Sequence, residues 1–152
     1  MNTGTKTNAM DRKVLLSTIW IFAVLNYLYC DVLGLMDPTF LKQLLTGTVG
    51  GIQFTQEFLL GAGMLMEISM AMVLLARVLP TRANRLANIV AGMIMTAVQI
   101  GTLLMGQATI YYWFFSIIEI AATVAIVWLA WTWRSPRTTA RTEPSVLIHE
   151  KA

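Results

Sequence analysis

The chain is poor in the residue types that most catalytic and metal chemistry draws on. It has one cysteine, Cys30, and one histidine, His149, in 152 residues. A lone cysteine excludes an internal disulfide and any Cys-x-x-Cys redox pair. Cys30 lies inside an apolar stretch and reads as a small hydrophobe. No metal-ligand spacing, nucleophile elbow or phosphate loop occurs, so neither a metal nor a cofactor is called for. Charge is also scarce, at 12% of residues, against roughly 25% in soluble domains. The net charge of +3 is not gathered on a basic face interleaved with aromatics, which excludes a nucleic-acid partner.

What is present is apolar sequence: 57% hydrophobic residues, more than a chain this short can hide in a soluble core. A bilayer solves that problem. Four apolar runs, 14–36, 54–79, 86–105 and 109–133, each reach the ~20 residues needed to cross a ~30 Å hydrocarbon layer at 1.5 Å per residue. In lipid such runs must be helical to satisfy their backbone groups. The fold class expected is therefore all-α, a four-helix transmembrane bundle over 14–134. A polar stretch at 1–13 precedes it and a polar, mobile tail at 135–152 follows. No small-residue cleavage site ends the first stretch, so a removable signal peptide is not expected. Lys6, Arg12, Lys13, Arg77, Arg82, Arg85, Arg134, Arg137, Arg141 and Lys151 fall on one side of such a bundle, and only Lys42 falls on the other. That bias predicts both termini in the cytoplasm.

The connection at 37–53 begins Asp37-Pro38, which predicts a helix capped by Asp37 with Pro38 in its first turn. Phe40, Leu41, Leu44 and Leu45 give it an apolar face for the membrane interface. Trp20 is expected to pack inside the bundle. Trp128, Trp131 and Trp133, with Tyr111, Tyr112 and Trp113, are expected as belts at the two ends of the fourth span. Glu67-Ile68 and Glu119-Ile120 recur in spans two and four, the sign of a possible duplicated helix pair.

Each span tolerates a polar stripe. Asn26, Tyr27, Tyr29 and Asp31 mark the first span. Gln56, Leu60, Gly63 and Glu67 share one face of the second. Asn88, Gly92, Thr96, Gln99 and Gly106 mark the third, and Tyr112, Ser116, Glu119 and Thr123 the fourth. Stripes that face one another would place Glu67 and Glu119 together near the midplane, with Asp31, Asn26, Tyr27, Gln56 and Gln99 around them. Gly63, Gly92 and Gly106 would let the helices approach. No lysine, arginine or histidine lies in the middle of a span to neutralise these acids. Burying an ionised acid there costs about 2.5–3.5 kcal/mol or more, so a proton is expected to be shared or retained, or a cation held.

Trp20-Ile21-Phe22-Ala23, Asn26-Tyr27-Leu28-Tyr29 with Asp31, Leu35-Met36-Asp37-Pro38, Gly47-Thr48-Val49-Gly50-Gly51-Ile52-Gln53, Arg82-Ala83-Asn84-Arg85 and Ala130-Trp131-Thr132-Trp133 together resemble an uncharacterised family of small bacterial four-span membrane proteins. That family is a domain of unknown function, loosely DoxX-like, and the resemblance covers most of 14–134. It implies a bacterial inner (plasma) membrane location and no activity. Three functions stay open: proton- or cation-coupled binding or transport of a small ligand, an accessory or scaffold subunit of a larger complex, and an intramembrane lipid-modifying enzyme. Besides the bilayer, the partners expected are a homo-oligomer or a larger membrane protein.

Overall fold

The computed structural model describes residues 3–105 and 109–133. The tail at 135–152, with its expected mobility, and Gly106 lie outside these described residues. Helix α1 (Thr3–Met36) is followed by the short α2 (Pro38–Leu45), two strands β1 (Thr48–Val49) and β2 (Ile52–Gln53), and then α3 (Gln56–Val78), α4 (Thr81–Met105) and α5 (Ile110–Trp131). Four of the helices are long and apolar enough to cross a membrane. The described residues are thus all-helical apart from one small hairpin and short connections, with the four spans expected from the apolar runs. Two boundaries differ from expectation. The polar residues before position 14 continue α1 back to Thr3, and α4 starts at Thr81 rather than at 86.

The second difference follows from Pro80. Leu79 before it is extended (φ −61°, ψ 145°), as the residue preceding proline prefers. The Pro80 carbonyl then accepts from the Asn84 amide at 2.9 Å and opens the next helix. Arg82 and Arg85 therefore belong to the first turns of α4. Arg12, Lys13 and Arg77 lie at the same end of the bundle, called here the basic end.

The other end carries α2 and the hairpin. Asp37 caps α2 as its sequence predicts, with Oδ1 accepting from the amides of Thr39 (2.8 Å) and Phe40 (3.4 Å). The hairpin pairs Thr48 with Gln53 and Val49 with Ile52. Gly50 and Gly51 make its two-residue turn with φ of 55° and 84°, the positive values that match the strand twist.

The spans form a closed ring in the order α1, α3, α4, α5, with little contact across the diagonals. The seam between α3 and α4 is the loosest of the four. Leu16, Trp20, Ala23, Tyr27, Met72, Ala76, Ala91, Met95, Ala122, Ile126 and Trp133 form the core. Trp20 is fully buried, as expected. Trp133 is buried as well, which corrects its assignment to a surface belt; Trp128 and Trp131 remain exposed.

A chain of hydrogen bonds locks the basic end. Trp20 Nε1 donates to Asn88 Oδ1 at 2.8 Å, crossing the ring from α1 to α4. Asn88 Nδ2 donates to the Asn84 carbonyl (2.8 Å) and to Asn84 Oδ1 (2.6 Å), and Asn84 Nδ2 donates to the Ala76 carbonyl of α3. Ser17 Oγ donates to the Val73 carbonyl at 2.8 Å while accepting from Arg77 Nε at 3.0 Å. Lys13 Nζ donates to the Leu79 carbonyl at 2.6 Å, satisfying an orphan acceptor at the C-terminus of α3.

Candidate functional site

The inward face of α5 is polar along its length, because Tyr112, Ser116, Glu119 and Thr123 recur at helical spacing. Three of these side chains find a partner on α4. Tyr112 Oη donates to Thr102 Oγ1 at 2.8 Å, and Ser116 Oγ accepts from Gln99 Nε2 at 2.8 Å. Thr96 and Thr123 hydroxyls meet at 2.7 Å. Glu119 sits between the second and third of these rungs, and its carboxyl has no hydrogen bond among the described residues. It is only 1% exposed, and its Oε1 is fully enclosed without a partner.

Glu119 lies about 14 Å along α5 from Ile110, at 1.5 Å per residue, near the middle of the span. It is within electrostatic reach of Asp31, Cys30, Tyr27 and Tyr112. Tyr27, from α1, is buried, and its hydroxyl also has no partner. Ser69 of α3, one helical turn from Val73, is a third buried polar group in this condition. Unpaired buried polar atoms are uncommon in native proteins. Here one comes from each of α1, α3 and α5.

The remaining predicted site residues divide. Gln99 is buried and holds Ser116 beside Glu119. Asn26 is half-buried and donates back to the Phe22 carbonyl at 2.8 Å. Asp31 is exposed on α1, toward the hairpin end from Glu119. Glu67 and Gln56 are exposed on α3, so the structure does not bring Glu67 together with Glu119. The expectation of two acids meeting at the midplane is corrected: α3 turns a different stripe inward, Ser69, Met72 and Ala76. Gly63 likewise serves no close approach, since a Cβ there would meet nothing within 4 Å. Gly92 does serve one, with a Cβ position 2.7 Å from Val127 Cγ2 on α5. The Glu-Ile repeat of spans two and four therefore places its acids in unlike surroundings.

Sequence reasoning missed Ser69 and the Ser17–Arg77 contact. The spacing of Ser69, Met72 and Ala76 was the available signal for the first. Among the described residues no cluster of three metal-ligating side chains occurs. The site can therefore offer one carboxyl with hydroxyl neighbours, suited to a proton, a small cation held with water, or a hydrogen-bonding ligand group.

The model of a Family of unknown function (DUF6326) matches residues 7–140. No curated protein matches the chain, and no solved structure does.

Proposed function

Since the chain belongs to the family of unknown function DUF6326, which brings no activity with it, we propose from its own residues that it couples a proton or cation to the binding or transport of a small ligand. Glu119 is the responding group in this reading. Tyr27 is within its electrostatic reach, Gln99 holds Ser116 one turn away, and Asp31 marks the approach from the hairpin end.

The observation that supports this is the unpartnered Glu119 carboxyl. A purely structural acid would be tied off, as its neighbours on α5 are. Leaving a buried polar group unsatisfied costs about 1–3 kcal/mol, and an acid at mid-span about 2.5–3.5 kcal/mol. Interhelical hydrogen bonds in membranes return only about 0.6 kcal/mol each on average. Stability alone gives no reason to keep such a group, whereas uptake and release of a proton or cation does.

We place the protein in the bacterial inner membrane. The cations of the basic end put both termini in the cytoplasm by the positive-inside rule, which leaves the hairpin and Asp31 on the outer side. Purified protein in sealed vesicles with a trapped pH dye tests the reading. An imposed proton or sodium gradient should drive dye response or ligand uptake in the wild type, and Glu119→Gln should abolish it. Equal responses in the two proteins would contradict it.

A further inference from the structure

Glu67 sits about 16 Å along α3 from Gln56, at 1.5 Å per residue, close to the middle of that span. It is exposed, on a face shared with Leu60, Met64, Leu74 and Val78, which are 59–79% exposed. Gly61 and Gly63 nearby meet nothing within 4 Å. Of the four spans, α3 is the least buried. A carboxyl on a lipid-facing surface at this depth is costly and needs a hydrogen-bonding partner.

No lysine, arginine or histidine lies in the middle of any span of this chain, so nothing on the chain itself can neutralise Glu67 at that depth. A second copy inserted the same way brings an identical carboxyl to the same depth. Across a twofold axis along the membrane normal, each protonated carboxyl donates to and accepts from its mate. Gln56, three helical turns away on the same stripe, is self-complementary too, because its amide both donates and accepts. Gly63 lies between them, where the absence of a side chain lets two helices cross closely. The same patch contributed by both subunits is the mark of a twofold interface.

We propose that this chain is a parallel homodimer joined along α3, with the Glu67 carboxyls paired across the interface and the helices crossing at Gly63. The dimer does not depend on the role given to Glu119.

Cysteine scanning of the full chain in phospholipid vesicles, in a Cys30→Ala background, tests it. Leu60→Cys and Met64→Cys, both exposed on the Glu67 face, should cross-link to a dimer on mild oxidation. Met93→Cys on α4 and Ile117→Cys on α5, both exposed positions, should remain monomeric. Adding Glu67→Leu to Leu60→Cys should lower the dimer association constant about tenfold, while Glu67→Gln, which keeps a donor and an acceptor, should preserve it. Circular dichroism checks that each variant stays helical. Equal cross-linking at the α4 and α5 positions, no loss with Glu67→Leu, or release by Glu67→Leu of a different stoichiometric protein would each overturn the dimer. Glu119→Gln should leave the cross-link unchanged, which separates this result from the test of the coupled function.

Discussion

Substituting Gly92→Ala probes the seam against which Glu119 is held. The new methyl would stand 2.7 Å from Val127 Cγ2 and 3.3 Å from the Thr123 carbonyl oxygen, where carbon atoms prefer about 3.5–4.0 Å. Val127 has little freedom to give way, because a valine in a helix holds essentially one χ1 rotamer. Helix α4 must then back away from α5 by about 1 Å to restore ordinary contact. That retreat would stretch the Thr96–Thr123 bond beyond hydrogen-bonding range from its present 2.7 Å. Overpacking of this kind costs about 1–3 kcal/mol, and each lost interhelical bond about 0.6 kcal/mol. Alanine's better helix propensity returns up to about 1 kcal/mol. The net expectation is a loss of about 1–3 kcal/mol, measured by steric trapping or denaturant unfolding in bicelles. Gly92→Ala combined with Val127→Ala should recover at least about 1 kcal/mol relative to the sum of the single changes, as residues in contact do. A Gly92→Ala protein as stable as the wild type, or strict additivity in the double variant, would refute the packing argument.

Asn88→Leu removes the acceptor for Trp20 Nε1 and the donor to Asn84. It should destabilise the bundle by about 1–3 kcal/mol through the orphaned indole N–H, read in the same unfolding assay. Asp37→Ala should cost α2 about 1 kcal/mol of cap stabilisation, visible as faster amide hydrogen exchange over 38–45 with little change in the spans. Lys13→Met, which leaves the Leu79 carbonyl without its donor, should loosen the C-terminal turn of α3, seen as reduced exchange protection there.

The four spans, the Asp37 cap and the buried stripes of α4 and α5 were legible in the sequence because each leaves a periodic or compositional mark. Asn88, Thr96 and Gln99, for example, step along one face of a helix whose opposite side is apolar, so the burial of Asn88 and Gln99 and the half-burial of Thr96 follow. Helix α3 carried no such guide. It is apolar nearly all round, and its two candidate stripes, one through Gln56, Gly63 and Glu67 and one through Ser69, Met72 and Ala76, have the same spacing. In lipid the hydrophobic effect does not choose between faces. Packing within the ring buries the face with Ser69, Met72 and Ala76 and leaves Glu67 outward. The partnering of individual groups was equally hidden. Ser116 and Glu119 look alike as polar insertions, and only the position of Gln99 on the neighbouring helix decides that one is satisfied and the other is not. Trp133 was read from its place near a span end, where tryptophans often mark the interface, yet the ring of helices has room to take it inside.

The central claim is that the carboxyl of Glu119 itself changes state when the protein meets protons or a cation. Infrared difference spectra of the protein in lipid, recorded across a pH step and across addition of sodium, read that group directly through the carbonyl band of a carboxylic acid. A band that responds in the wild type and in Glu67→Gln but is missing in Glu119→Gln is the predicted result. Spectra of Glu119→Gln that superimpose on the wild type would contradict the account.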